Sequence, residues 1–223
     1  VSLAGDINGD GTNDLIVGSN VVFGSNIQSA TIDVANLGAN GFKVNKNGAV
    51  GSGGDVNDDG FADIIVGMKD DSPDADRTSD GIAYVLYGKA DLSSLVDLDD
   101  LSGTDGFKIL GKATGGNLTS DLGQSVEGIG DFNGDQIDDL VIGSPRFGGR
   151  LGEVYVIYGR SDRTTNIDLA SFSTVDGLAI SGYSAGTTGG IVDVGETGTS
   201  VSGAGDFNGD GFADVIIGSP FQT

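Results

Sequence analysis

Four segments of the chain carry oxygen-bearing side chains at one fixed spacing. Each has the pattern Gly-Asp-x-Asn-x-Asp-x-x-x-Asp, followed by three apolar residues and a glycine. When the first Asp is counted as position 1, oxygen side chains stand at positions 1, 3, 5 and 9. We call these segments acidic loops 1 to 4; they are residues 6–14, 55–63, 131–139 and 206–214. Alternate residues of a tight loop can converge on one point, so the pattern predicts a cation site in each loop.

The predicted ligands are all oxygen atoms: three carboxylates, one amide oxygen and the backbone carbonyl of position 7. With bidentate binding or water, such a set suits Ca²⁺, which takes about six to eight oxygens; Mg²⁺ is the weaker candidate. We therefore predict up to four Ca²⁺ ions. The predicted ligands are Asp6, Asn8, Asp10, Thr12 and Asp14; Asp55, Asn57, Asp59, Phe61 and Asp63; Asp131, Asn133, Asp135, Ile137 and Asp139; and Asp206, Asn208, Asp210, Phe212 and Asp214.

The acidic loops have two other interpretations, metal-free hairpin turns and an EF-hand. Asn-Gly and Asp-Gly hairpin turns without metal remain an alternative, but such turns do not need three fixed carboxylates that repel one another when empty. An EF-hand would place a bidentate Glu at position 12. That position holds Val17, Val66, Ile142 and Ile217, so the EF-hand is excluded.

Two loops depart from the common pattern. Position 6 is glycine in three loops, which permits a positive φ, but loop 3 has Gln136 there. A non-glycine residue at positive φ costs about 1 kcal/mol, so we predict that the Asp131–Asp139 site binds more weakly or has an altered turn. Loop 2 carries an extra carboxylate, Asp58, at position 4, and we expect it to point away from the cation.

The elements that position the loops are predicted to be short β-strands. Runs such as Ile64-Ile65-Val66 and Val215-Ile216-Ile217 are β-branched and bounded by glycine. A second repeated strand ends in an aromatic–glycine pair, as in Tyr87-Gly88 and Tyr158-Gly159. A third repeated segment has the form Ile/Val-Asp-Leu/Val and leads to a further strand near Phe42 or Phe107. Four short strands repeated about every 70 residues predict an all-β array, a β-propeller rather than a β-solenoid.

Composition excludes several kinds of function. The 223 residues contain no Cys and no His, so thiol catalysis, histidine acid–base chemistry and the usual zinc sites are excluded. The formal net charge of −22 argues against nucleic acid or an anionic membrane as a partner. No apolar run approaches the length of a membrane-spanning helix. Nearly all the acidic residues are Asp, which suits turns and oxygen-ligand metal sites.

Around the acidic loops the sequence resembles FG-GAP repeats, the blade units of the integrin α-subunit β-propeller and of many secreted bacterial proteins. Leu122-Gly123 and Thr197-Gly198 stand at the "FG" position, and Gly143-Ser144-Pro145 and Gly218-Ser219-Pro220 at the "GAP" position. The first two units depart at the latter, with Gly18-Ser19-Asn20 and Gly67-Met68-Lys69. The resemblance extends over essentially the whole chain, and the acidic loop is its most specific part.

This resemblance implies four-stranded antiparallel blades, with calcium in the hairpin between the first two strands of each. It implies a seven-bladed ring, of which we expect about three to four repeats here: 1–47, 48–115, 116–190 and the start of another at 191–223. We therefore expect further repeats of a longer chain, or other chains, to complete the assembly. The family also implies extracellular adhesion or recognition, and the lack of Cys favours a secreted or surface-displayed bacterial protein.

The function predicted is a non-catalytic calcium-binding module that contacts a protein or glycan ligand at the cell surface. A lectin-like propeller is one alternative, although Tyr183 is the one tyrosine expected outside the strands. An accessory domain of a secreted enzyme is another, since carboxylate pairs such as Asp99 and Asp100 are abundant. The acidic segment 70–76 is interpreted as a solvated loop, with an ancillary cation site as the alternative.

Overall fold

The computed structural model describes residues 1–24, 31–77, 79–113, 119–183, 187–188, 191–192 and 195–220. Almost all of its regular structure is β-strand, as the sequence predicted. Helical structure in these residues is confined to three- and four-residue turns. They are Gly38–Asn40, Leu98–Asp100, Phe147–Arg150 and Leu169–Ser171.

The strands are short and follow the predicted β-branched runs. They are β1 (Ser2–Gly5), β2 (Asp14–Val17), β3 (Asn20–Val22), β4 (Gly41–Val44), β5 (Ala49–Gly54), β6 (Asp63–Met68), β7 (Ile82–Leu86), β8 (Leu95–Val96), β9 (Gly106–Leu110), β10 (Ser125–Gly130), β11 (Asp139–Ser144), β12 (Glu153–Ile157), β13 (Ile167–Asp168), β14 (Gly177–Ser181), β15 (Thr187–Thr188), β16 (Ile191–Val192), β17 (Ser200–Gly205) and β18 (Asp214–Gly218).

Three four-stranded antiparallel sheets follow one another along the chain. Their strand orders are β1-β2-β3-β4, β5-β6-β7-β9 and β10-β11-β12-β14. A hairpin of β17 and β18 repeats the first two strands of this arrangement, and β15 pairs with β16. The all-β prediction of blade-like four-stranded sheets is therefore confirmed. Among the described residues the sheets form an open row, not a closed ring.

The first two sheets each gain a fifth strand from the following repeat. Strand β8 pairs in parallel with β4, and β13 pairs in parallel with β9. Just after these strands, Leu98 and Leu169 are buried, with 0% and 3% of their surface exposed. Leu98 packs in the core of the first sheet with Phe42, and Leu169 packs in that of the second with Phe107. We call this arrangement the connector clasp, because one repeat closes the outer edge of the sheet before it.

The innermost strands of successive sheets lie close together, which explains much of the glycine content. Strand β5 lies against β10, and β10 lies against β17. A Cβ atom at Gly51 would be 2.8 Å from the carbonyl oxygen of Val126, and one at Gly128 would be 2.6 Å from that of Ser52. Both distances are too short for a side chain, so glycine is required where the backbones of neighbouring sheets meet.

The tyrosines of the strands pack between these sheets to different degrees. Tyr84, Tyr87 and Tyr155 are 1%, 4% and 1% exposed, Tyr158 is partly buried, and Tyr183 is 69% exposed, as expected. The proposed division into blades remains a prediction. Its boundaries at 115/116 and 190/191 involve residues 115, 116 and 190, which lie outside the described part of the chain.

Candidate metal centre

Each acidic loop connects the first two strands of its sheet, as predicted. The loops lie between β1 and β2, β5 and β6, β10 and β11, and β17 and β18. In all four hairpins the strand register shifts at the glycine before position 1, which is Gly5, Gly54, Gly130 or Gly205. These glycines have positive φ values of 61–79°. The shift turns the backbone so that the position-1 Asp faces into the loop.

Loop 1 shows how the side chains organise the turn. The carboxylate of Asp6 accepts hydrogen bonds from the N–H groups of Asp10 at 3.0 Å and Gly11 at 2.8 Å. Asn8 accepts from the N–H of Asp10 and donates its side-chain amide to the Asp10 carboxylate, both at 3.0 Å. Asp10 in turn accepts from the N–H of Thr12 at 3.0 Å. The side chains at positions 1, 3 and 5 therefore all point inward.

The other three loops repeat this network. In each, the position-1 carboxylate accepts from the N–H groups of positions 5 and 6, and the position-5 carboxylate accepts from that of position 7. The distances lie between 2.9 and 3.1 Å throughout. Four independent copies with one geometry indicate that the spacing of Asp and Asn dictates the loop conformation.

The position-9 Asp has a role that the sequence did not reveal. Asp14, Asp63 and Asp139 are each 0% exposed. One carboxylate oxygen accepts from the N–H of position 2 in the same loop, at 2.8–3.1 Å. The other accepts from the glycine of the aromatic–glycine pair after the third strand: Gly24, Gly88 or Gly159, at 2.8–2.9 Å. This residue therefore joins the loop to the third strand. The residue there is glycine because a Cβ atom would lie 2.2–2.3 Å from the carbonyl oxygen of position 8 in the loop.

Burial disfavours the charged form of these carboxylates and so raises their pKa. It raises the pKa of Asp63 to about 8, against hydrogen bonds from Gly88 and Val56, and the charges of Asp59 and Asp55 raise it further. Burial likewise raises the pKa of Asp139 to about 6. The pKa of Asp14 is raised in the same direction, first by burial and in smaller part by Asp10 and Asp6. In loops 1, 2 and 3, negative charge is thus held near a buried carboxylate with no cationic side chain to offset it among these causes.

The two unusual residues adopt the backbone conformation expected of glycine. Gln136 has φ 73°, close to the 87–93° of Gly11, Gly60 and Gly211 at the same position, so the predicted positive φ at position 6 is present. Asp58 has φ 58° at position 4, where the other loops have glycine. Both residues lie in the left-handed region, where a side chain is disfavoured. Loop 3 keeps the common hydrogen-bond pattern despite Gln136.

The donor set fits a hard divalent cation, although no three carboxylates are yet gathered around one point. Among the described residues, no group of three or more Asp or Glu side chains is arranged as a metal centre. Instead, the carboxylates of each loop are occupied by backbone N–H groups, and Oδ1 of Asp131 and Oδ1 of Asp206 each accept from two of them. The oxygen-only donor set and the uncompensated charge match Ca²⁺. Because backbone N–H groups already occupy the carboxylates, the Asp and Asn side chains would have to adjust to bind an ion.

The other acidic pairs singled out from the sequence are engaged in structural contacts. Asp71 and Asp99 both lie 3.0 Å from Nζ of Lys46, and the hydroxyl of Tyr84 donates to both carboxylates, at 2.9 and 3.2 Å. Asp70 pairs with the neighbouring Lys69. The segment 70–76 lies in the loop between β6 and β7, and five of its residues are exposed. These contacts favour the solvated loop over a second cation site.

The fold and its loops define a class of protein: an array of propeller-type β-sheets with an acidic hairpin in each repeat. Residues 123–157 and 197–223 match the FG-GAP repeat family. The chain therefore contains FG-GAP repeats, and the resemblance stated from its motifs is confirmed.

Two integrins are similar to this chain. It is 33% identical over 129 residues to integrin alpha-5 of Xenopus laevis. The matched region covers 54% of this chain and 10% of that protein. It is 34% identical over 99 residues to integrin alpha-V of Gallus gallus. Here the matched region covers 44% of this chain and 7% of that protein. The similarity thus spans a tenth or less of each integrin. Within the described residues, no helix has the length and apolar character needed to cross a membrane.

Proposed function

We propose that the chain is a calcium-stabilised, non-catalytic propeller module that mediates protein interaction or adhesion outside the cell. One observation carries the calcium part: the same inward-facing network of Asp and Asn side chains is built four times at the same place in the repeat. A hairpin turn without metal would need only a local backbone conformation. Three of these loops also contain a buried Asp whose pKa is raised.

The proposed ligands are the side-chain oxygens of positions 1, 3, 5 and 9 and the carbonyl of position 7 in each loop. A bound Ca²⁺ would supply positive charge that offsets the mutual repulsion of the carboxylates. The residues themselves fix the loop: the position-1 Asp orders the turn, and the position-9 Asp links it to the third strand of the sheet. Cation binding would therefore stabilise the contacts within a whole sheet and not a loop alone.

The proposal of protein interaction rests on the similarity to two integrin α chains. The proposed location is extracellular, either secreted or displayed on a cell surface, and the lack of Cys favours a bacterial source. Further repeats or other chains would complete the array, because the outer edge of β14 pairs with no strand among the described residues. The net charge of −22 favours a neutral or basic partner surface.

Two alternatives have less support. A glycan site would use exposed aromatic rings. Tyr84, Tyr87 and Tyr155 are buried in the core, which leaves few exposed rings, such as Tyr183 and Phe207, for this role. An enzyme would need carboxylates free to act on a substrate. A cavity of about 270 Å³ beside β8 is lined by acidic residues. Of these, Asp97 caps a helical turn by accepting from the N–H of Asp99 at 3.0 Å, and Asp105 pairs with Lys89 at 2.5 Å.

Calcium titration of the whole chain tests the proposal. We expect calorimetry to count up to four sites, and EGTA to lower the melting temperature. At tenfold excess over Kd each site would contribute about 1.4 kcal/mol. Asp59→Asn should remove one site from the stoichiometry, whereas the matched control Asp58→Asn, which changes the adjacent position 4, should not. An unchanged melting temperature in EGTA, together with no heat of binding, would refute calcium stabilisation.

A further inference from the structure

The acidic loops are in contact with one another along the row of sheets. In three junctions, the N–H of position 8 in one loop donates to the carbonyl oxygen of position 1 in the loop before it. The pairs are Ala62 to Asp6 at 3.1 Å, Asp138 to Asp55 at 3.3 Å and Ala213 to Asp131 at 2.9 Å. Position 1 carries the carboxylate that orders the turn. Its peptide group is therefore held by the following repeat.

Side chains reinforce two of these junctions. A Cβ atom at Gly9, position 4 of loop 1, would lie 2.5 Å from Cε1 of Phe61, which is position 7 of loop 2. Gly134 of loop 3 and Phe212 of loop 4 stand in the same close relationship. The aromatic ring of one loop thus lies over position 4 of the preceding loop, which separates the ligand residues at positions 3 and 5. Contact of this closeness restricts the turn to one conformation.

A second backbone contact fixes the next peptide of the preceding loop. The N–H of Lys89 donates to the carbonyl of Ile7 at 2.9 Å, and that of Arg160 donates to the carbonyl of Val56 at 2.8 Å. Both carbonyl groups belong to position 2. The carbonyls of positions 1 and 2 in loops 1 and 2 are therefore both held by the following repeat.

Loop 4 differs, because no following loop covers it in the described part of the chain. A Cβ atom at Gly209 or Gly205 would meet no atom within 4 Å. Asp206 is exposed, whereas Asp6, Asp55 and Asp131 are partly buried. The four loops therefore share one hydrogen-bond network internally but differ in external support.

From these contacts we propose that the backbone of acidic loops 1, 2 and 3 is held in its cation-binding conformation by the following loop. Position 8 of the following loop makes this contact at all three junctions, and Phe61 and Phe212 at position 7 are further positioning residues for loops 1 and 3. The proposal rests on the calcium binding proposed above. Cation binding in one repeat favours the packed state of the repeat before it. Residues that orient metal ligands without touching the metal typically alter affinity by about ten- to a hundredfold.

The test follows Ca²⁺ binding loop by loop in the whole 223-residue chain. Backbone amide signals of position 6 report on each loop, because those N–H groups donate to the position-1 Asp; Gly11, Gly60 and Gly211 are the reporters for loops 1, 2 and 4. Phe61→Ala should weaken Ca²⁺ binding at the Gly11 reporter by on the order of tenfold. The effect at Gly60 should be smaller, although Phe61 belongs to the same loop as Gly60.

Matched variants separate positioning from general loss of structure. Phe61→Leu should restore most of the affinity of loop 1, because an apolar side chain again covers Gly9. Phe207→Ala removes an aromatic side chain that is 86% exposed and should leave all reporters unchanged.

Each outcome has one meaning. If no reporter shifts with Ca²⁺, the proposed calcium function fails. If the reporters shift but Phe61→Ala weakens loop 2 as much as loop 1 or more, calcium binding stands and the coupling between loops is refuted.

Discussion

The carboxylate of Asp138 accepts a hydrogen bond from the backbone N–H of Asp55 at 2.9 Å, across 83 residues of sequence. Ala62 and Ala213 occupy the position of Asp138 in the adjoining loops. Between loops 2 and 3, a charge-assisted hydrogen bond to the first residue of loop 2 therefore stands where the other two junctions have an alanine. This contact fits only because residue 54, immediately before Asp55, is glycine.

Gly54→Ala should destabilise the chain strongly. A Cβ atom at Gly54 would lie 2.7 Å from Cβ of Asp138, and the residue has φ 75°. The substitution would thus combine backbone strain with displacement of Asp138, a cost of about 2–4 kcal/mol. Gly205→Ala is the matched control, because Gly205 has φ 61° but would meet no neighbouring atom. It should cost only about 1 kcal/mol. Urea unfolding measures both, and equal costs would show that the junction contact is unimportant.

Leu98→Ala and Leu169→Ala should each cost about 2–5 kcal/mol, because each removes a buried side chain from the connector clasp. Leu178→Ala is the control. It lies on β14, whose outer edge pairs with no strand among the described residues, and it is 41% exposed. Its replacement should cost less than about 1 kcal/mol. The comparison is made by chemical denaturation, and a Leu98 effect no larger than that of Leu178 would contradict the clasp.

Lys112→Met should cost about 3 kcal/mol, because it removes the cation that neutralises a buried acid. Nζ of Lys112 lies 2.8 Å from Oε2 of Glu153, whose side chain is 7% exposed, and the hydroxyl of Tyr155 donates to the same oxygen at 2.6 Å. The matched variant is Lys69→Met, which breaks the exposed pair with Asp70 and should cost less than about 1 kcal/mol. Thermal unfolding at neutral pH distinguishes the two, and a negligible Lys112 effect would contradict this prediction.

Alkaline pH should unfold the chain, in part through Tyr87. Burial, and then the charge of Asp63, raises the pKa of Tyr87 to about 12, above the ordinary value of about 10. The folded chain therefore keeps a proton that the unfolded chain loses. The resulting stability is complete below about pH 10 and is lost as pH rises towards about 12. Tyr87→Phe should make this loss shallower. Tyrosinate absorbance and circular dichroism follow the transition, and an unchanged slope would contradict the assignment.

The sequence predicted those features that depend on neighbouring residues. The acidic loops appeared at the expected hairpins because their Asp, Asn and Gly spacing satisfies the turn internally. Strands β6 and β11 followed from runs of β-branched residues. The left-handed conformation of Gln136 followed from its alignment with glycine in the other loops.

Features that join separate repeats were not predicted. Val96-Asp97-Leu98 and Ile167-Asp168-Leu169 were recognisable as repeated segments, but nothing in them indicates pairing with the sheet of the preceding repeat. The ring of Phe61 likewise contacts a glycine 52 positions earlier, and only the glycine at position 4 hinted at a close neighbour. The second role of the position-9 Asp lies within one repeat, but it was also hidden, because its partner glycine lies beyond the next strand.

The connector clasp determines which piece of the chain can be transplanted in protein engineering. A fragment cut at the limits of one sheet, such as 49–110, would keep the strand that closes its predecessor and lose the one that closes itself. Grafting or duplicating a repeat therefore requires a fragment that extends through the connector of its successor, to Leu169 for the second sheet. The exchangeable units of this architecture overlap in sequence, so designed arrays with more or fewer repeats should be joined inside the connectors.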